Sequence, residues 1–134
     1  MESTDTRTKT HPVCDLYVES WGDGTPVVLV HGSLANGAEE WEAQRPLADE
    51  GFCLLVLDRR GYGRSPSTDG EDFLLDAEDI AELMSEGAHL IGHSYGGLGA
   101  VFAAARRPEA TRSLTLLEPG RLPSVSTIQG RERS

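Results

Sequence analysis

No apolar run in the 134 residues approaches 18, the length at which a membrane-spanning helix becomes a candidate. The first ten residues, Met1 to Thr10, are polar and lack the apolar stretch of a signal peptide, which makes the cytoplasm the expected compartment and a membrane partner unexpected. Cysteine is scarce. Cys14 and Cys53 have no metal-binding spacing, and in a cytoplasmic protein both are expected to be reduced and buried. Cys53 lies in an apolar run, where a thiol acts as a small hydrophobe. No metal or cofactor is implied, and neither repeats nor low-complexity tracts occur. Positive charge is also short: 12 Lys and Arg against 22 Asp and Glu leave a net charge of -10. Such a surface repels phosphate backbones and argues against a nucleic-acid partner.

What remains is a globular balance, 38% hydrophobic and 25% charged, in a length that suits one small domain. Strand-like and helix-like segments alternate. Val13 to Ser20 alternates weakly and predicts one or two short antiparallel strands. Trp21-Gly22-Asp23-Gly24 reads as a turn. Pro26 to Val30 reads as a strand buried on both faces, Phe52 to Leu57 and Ser113 to Leu117 as further buried strands, and His89 to Ile91 as a short strand. Gly37 to Glu50 is helical in composition, with Gly51 as its stop. Phe73, Leu74, Ala77, Ile80, Ala81 and Met84 follow helical spacing, so Asp72 to Glu86 predicts an amphipathic helix. Tyr95 to Arg107 predicts a small-residue helix that stops before Pro108. The order implies an α/β class, a mostly parallel sheet with helices on both faces. Residues 1–12 form a polar N-terminal segment, 13–119 the core, and 120–134 a polar tail expected to be poorly ordered. Eight acids and no Lys or Arg lie between Asp69 and Glu86, which reads as a solvated helix face.

One pattern carries chemistry. In Gly92-His93-Ser94-Tyr95-Gly96 a serine sits between a short apolar strand and a small-residue helix. A serine hydroxyl is a weak nucleophile at neutral pH and needs exposure, an oxyanion site and a base. A sharp strand-to-helix turn supplies exposure and aims the Tyr95 N–H at the substrate oxygen. Gly92 and Gly96 are expected to be required because a Cβ would collide with the turn. Gly97 and Gly99 are expected to let the helix pack close to the strands. Upstream, Val27 to Val30 runs into His31-Gly32-Ser33, and a loop after a neighbouring strand gives the second oxyanion donor in this kind of elbow. The Ser33 N–H is the first choice and Leu34 the second. His31, before a glycine at a strand end, reads as a loop brace.

The His31-Gly32 pair, Asp58-Arg59-Arg60-Gly61-Tyr62-Gly63-Arg64-Ser65 and Gly92-His93-Ser94-Tyr95-Gly96-Gly97 occur in that order. Over residues 13 to 119 the chain resembles the N-terminal half of the α/β-hydrolase fold-1 family, a partial α/β-hydrolase fold. The resemblance implies a hydrolase acting on a small-molecule ester or related acyl bond, with Ser94 as nucleophile. It places Asp58 to Ser65 in a loop at the strand ends. Arg59, Arg60 and Arg64 either hold an acidic substrate or, as favoured here, brace loops through ion pairs with nearby acids.

Family members order the triad as Ser, then acid, then His. No histidine follows His93. His93 adjoins Ser94, and neighbouring side chains in an extended segment point to opposite sides. His89 lies five residues upstream, roughly 16 Å away at about 3.3 Å per residue. His11 sits in the polar N-terminal segment. None is expected to act as base. For the acid there is one candidate, Glu118, at the end of the strand that follows the nucleophile. The resemblance offers it two roles: an acid placed as in certain haloalkane dehalogenases, or part of a structural strand ending in Leu117-Glu118-Pro119. Relatives continue beyond this point, so the chain is expected to be truncated and impaired alone. Its last strand would form an apolar edge open to self-association or to a complementing chain. The alternative is a non-catalytic remnant or assembly partner of the same fold.

Overall fold

A computed structural model of the chain describes residues 15–118 together with the strand at residues 6–10. Six strands form one sheet in the order β1-β2-β4-β3-β5-β6, with β1 at Thr6–Thr10, β2 at Tyr17–Trp21, β3 at Thr25–Val30, β4 at Phe52–Leu57, β5 at Ala88–His93 and β6 at Thr111–Leu117. β4, β3, β5 and β6 run parallel, while β2 and β1 pair antiparallel on the β4 side. The sheet thus takes in Thr6–Thr10 from the polar N-terminal segment. Cys14, His11 and the tail from 120 to 134 fall outside the described residues.

The β-branched and leucine-rich runs explain the layers. Successive residues of a strand face opposite sides, so Val28, Val30, Leu57 and Leu90 pack on one face with Ala77, Ile80, Ala100 and Ala103. These alanines and Ile80 come from α2 (Phe73–Leu83) and α3 (Gly96–Arg106). On the other face Val27, Leu29, Leu54 and Val56 meet Trp21 and Trp41, the latter at the end of α1 (Gly37–Trp41). The mostly parallel sheet with helices on both faces is therefore present.

Local chemistry sets the helix bounds. Asn36 caps α1 by accepting the Glu39 N–H at 3.0 Å. The helix expected to reach Glu50 stops at Trp41 and continues as a 3-10 segment, Glu42–Asp49. Pro46 lies inside that segment; its ring lacks an N–H and collides with the carbonyl four residues back in an α-helix. Asp72 caps α2 by accepting the N–H groups of Leu74 and Leu75 at 3.0 and 3.2 Å. α2 ends before Ser85, whose φ of 50° turns the chain, rather than reaching Glu86.

Three expectations need correction. Ser113 to Leu117, expected as a buried strand, lies in β6 at the edge of the sheet and is mostly exposed. Cys53 is free but half-buried rather than enclosed. The acidic run is not simply a solvated face. Asp76 and Asp79 are 4% and 5% exposed, and each points inward to an arginine: Asp76 Oδ2 lies 3.1 Å from Arg59 Nη1 and Asp79 Oδ2 lies 2.8 Å from Arg60 Nε.

Candidate active site

The parallel strands bring three connections to one end of the sheet: the loops after β3 and β4 and the turn between β5 and α3. Ser94 occupies that turn with φ 54°, a left-handed conformation that costs a non-glycine residue about 1–3 kcal/mol. The surroundings hold it there. Its N–H donates to the Leu117 carbonyl at 2.9 Å, and its own carbonyl accepts the Gly97 N–H at 2.9 Å. The elbow is thereby tied to the end of β6. Tyr95 is the N-cap of α3, where the first N–H groups have no partner within the helix and the dipole favours negative charge.

The glycines divide differently from the sequence expectation. A Cβ on Gly92 would stand 2.7 Å from Gly97 Cα, and one on Gly96 would stand 2.7 Å from the Val30 carbonyl oxygen and closer still to that of His31. Gly96 therefore makes room for the end of β3 rather than for its own turn. Gly97 faces the strands but is not required in this way, because its Cβ would meet Leu116 Cδ2 at 3.4 Å and the Gly92 carbonyl oxygen at 3.6 Å, both ordinary contacts. A Cβ on Gly99 would meet Asp76 Cβ at 2.9 Å and Ile80 Cδ1 at 3.1 Å, so that glycine admits α2, not a strand.

The loop after β3 is anchored residue by residue. His31 is fully buried. Its Nδ1 lies 2.6 Å from the Gly32 carbonyl, and its Nε2 accepts the Arg59 backbone N–H at 2.9 Å. Those partners fix the neutral Nδ1–H tautomer. Burial, assisted by the Arg59 charge, lowers its pKa to about 4, against the opposing pull of the Gly32 carbonyl. Both ring nitrogens are thus engaged in bracing. Gly32 N–H donates to Glu40 Oε1 at 3.2 Å. Ser33 Oγ donates to Glu71 at 2.9 Å, and Leu34 stands fully exposed.

The other described histidines lie against other partners. His89 Nδ1 is 2.7 Å from Ser113 Oγ. His93 is flanked by two carboxylates: Nδ1 lies 2.7 Å from Glu40 Oε2 and Nε2 lies 3.3 Å from Glu118 Oε1. The first pair is close but out of line for a hydrogen bond, so both atoms are buried without one. Glu118, 86% exposed at its side chain with φ 45°, is brought beside the elbow against His93.

The arginines of the loop after β4 brace it. Arg59 is 1% exposed, which removes it as a contact for an acidic substrate. Arg60 pairs with Asp79. Arg64 departs from the expected acid partner: its Nη1 donates to Tyr17 Oη at 2.7 Å. Asp58 is a clasp that motif reading did not assign. Its Oδ1 accepts the Gly37 N–H at 2.8 Å and its Oδ2 the Arg64 N–H at 3.1 Å. Gly63 lies against that carboxylate, where a Cβ would collide with it. The signal in the sequence was an acid at a strand end followed by closely spaced glycines. Among the described residues no group of three or more His, Cys, Asp or Glu could hold a metal ion, and no helix is long and apolar enough to cross a membrane.

Comparison with known proteins adds the relatives. A family model described as alpha/beta hydrolase fold matches residues 25–133. A non-heme chloroperoxidase, CPO-A1, of Kitasatospora aureofaciens is 36% identical over 98 residues, covering 64% of this chain and 35% of that protein. A pimeloyl-acyl-carrier-protein methyl ester esterase of Aeromonas salmonicida is 39% identical over 99 residues, covering 72% of this chain and 39% of that protein. Among solved structures, a marine microorganism esterase superposes with TM-score 0.71 at 29% identity, covering 85% of this chain and 48% of that one. The chain spans 35% to 39% of the length of these curated relatives.

Proposed function

The chain belongs to the alpha/beta hydrolase fold family, and on that premise we propose that it carries the nucleophile and oxyanion half of a serine hydrolase acting on an ester or related acyl bond of a small molecule. The observation that carries this reading is the left-handed backbone of Ser94 between β5 and α3, at φ 54°. A strained non-glycine residue at a strand end is a recurrent mark of a functional site. Esterases among the relatives support the reaction class.

In this reading Ser94 Oγ attacks the substrate carbonyl carbon. The new Oγ–C bond pushes the π electrons onto the carbonyl oxygen, and the N–H groups of Tyr95 and Ser33 donate to the resulting oxyanion. Loss of the leaving group gives an acyl-enzyme, which water then cleaves. The base that takes the Ser94 proton lies outside residues 15–118, because His31, His89 and His93 are all engaged elsewhere. Without that base an oxyanion site still leaves about 10³–10⁴-fold catalysis over water in serine hydrolases.

Labelling of the full chain with a fluorophosphonate, read by mass spectrometry beside turnover of a p-nitrophenyl ester, tests this. Modification of Ser94 that disappears in Ser94→Ala is expected. A folded sample that takes no label, or a label that persists in Ser94→Ala, overturns it. The edge strand β6 favours a second role, as a non-catalytic assembly partner: Leu114 and Leu117 are 38% and 42% exposed there. A folded, unlabelled chain that sediments as a dimer or larger is the result expected of that role.

A further inference from the structure

The loop that carries the Ser33 N–H is held by Arg59, from the Asp58–Ser65 motif, and by Glu71, which no motif marks. Ser33 Oγ donates to both carboxylate oxygens of Glu71, at 2.9 and 3.0 Å. Glu71 Oε1 lies 3.0 Å from Arg59 Nη1, and the same nitrogen donates to Asp76 Oδ2 at 3.1 Å. Arg59 Nε donates to the His31 carbonyl at 2.9 Å. Its guanidinium carbon lies 5.1 Å from the centroid of the Tyr95 ring. One buried cation thus touches both connections that supply oxyanion donors, the loop after β3 and the elbow.

Glu71 is the adjustable member of this set. Its side chain is 35% exposed. Burial pushes its pKa up, but the Ser33 hydroxyl and Arg59 outweigh that and hold it below the usual carboxylate value. It is therefore ionised at neutral pH and accepts the Ser33 hydroxyl as a charge-assisted bond. When Glu71 is removed, Arg59 keeps Asp76 and the His31 carbonyl as partners, so the cost to global stability is limited. The effect of Glu71 is local: His31 Nδ1 holds the Gly32 carbonyl of the peptide that carries the Ser33 N–H, Glu40 holds the Gly32 N–H before it, and Glu71 holds the Ser33 side chain after it.

Building on the hydrolase reading, we propose that Glu71, anchored by Arg59, is a positioning residue that sets the Ser33 N–H of the oxyanion hole through the Ser33 hydroxyl. Glu71 touches no reacting atom. It acts on the loop, and the loop acts on the oxyanion.

The test uses the full chain and two readouts: the second-order rate at which a fluorophosphonate modifies Ser94, and amide hydrogen exchange over residues 32–35. Deleting a whole oxyanion donor costs about 10²–10³-fold; misplacing one is expected to cost about 10-fold. Glu71→Ala and Ser33→Ala should each slow labelling by about that factor and speed exchange in the loop. The double variant should be no slower than the slower single, because both break one link. Glu71→Gln, which keeps an acceptor, should recover part of the rate. Because Arg59 keeps Asp76, melting temperatures should fall by no more than about 4 °C and should not follow the rates.

Unchanged rates and exchange, multiplicative losses in the double variant, or a fall in melting temperature that tracks the rate loss would each overturn the proposal. If the parent chain takes no label, the hydrolase reading fails by itself. Loop exchange then decides the positioning role: faster in each single variant and no faster in the double supports it, unchanged refutes it.

Discussion

Replacing Gly96 by alanine should damage the elbow far more than the same change one residue later. The Gly96 Cβ would sit 2.7 Å from the Val30 carbonyl oxygen, against roughly 3.3 Å at the near limit of ordinary C···O contact. Relief requires α3 to retreat by about 0.6 Å from Val30, and further from His31, and neither obstacle is a side chain that can rotate. Overpacking against a rigid neighbour costs about 1–3 kcal/mol or more. Alanine returns up to about 1 kcal/mol of helix propensity, less at a first helical position. A net loss of about 1–3 kcal/mol follows, or roughly 4–12 °C in melting temperature for a domain of this size. Gly97→Ala meets nothing nearer than Leu116 Cδ2 at 3.4 Å and should be neutral or raise stability by up to about 1 kcal/mol. Thermal unfolding followed by circular dichroism at 222 nm compares the two. Equal shifts, or a Gly96→Ala variant that melts within about 2 °C of the parent, would refute the packing argument.

Three further perturbations follow from the same geometry. His31 and Asp76 oppose one another on acidification. Burial lowers His31 to about 4, so the unfolded chain takes that proton first and stability falls as the pH drops from 6.5 toward 4, by about 3 kcal/mol. Burial raises Asp76 to about 6 despite Arg59, so the folded chain binds that proton first and stability is lost as the pH rises from about 4 through 6. Asp76→Asn removes the second slope, and urea titrations at pH 4.5 and 6.5 should show it losing more stability on acidification than the parent; parallel profiles would contradict this. Trp41→Ala empties a site that is 2% exposed in the core between α1 and the sheet and should cost about 3–5 kcal/mol by chemical denaturation; a loss under about 1 kcal/mol would mean that the layer is not packed as described. Asp58→Ala strips the acceptor from the Gly37 and Arg64 N–H groups, so amide exchange at both should accelerate while the β3 interior stays protected.

Much of the architecture is local and was therefore legible. Phe52 to Leu57 is a strand with the bounds its composition predicts, because a six-residue apolar run between a glycine and an aspartate is too short for most helices and has few alternatives. The elbow motif likewise specifies a strand, a tight turn and a helix at known offsets. The break at Pro46 was also written in the chain, but helical composition masked it. Partners distant in sequence were not legible. Nothing local says that β2 pairs with β4 rather than β3, that Asp76 and Asp79 turn inward to Arg59 and Arg60, or that Glu71 reaches Ser33 across 38 positions. Gly97 and Gly99 look alike along the chain. They differ because one faces a leucine with room to spare and the other faces the backbone side of α2. The sequence by itself determined where a nucleophile turn forms, since periodicity and turn chemistry act over a few residues. Only the tertiary structure decided what holds that turn and its oxyanion loop in place, since those contacts exist only once distant segments have been packed together.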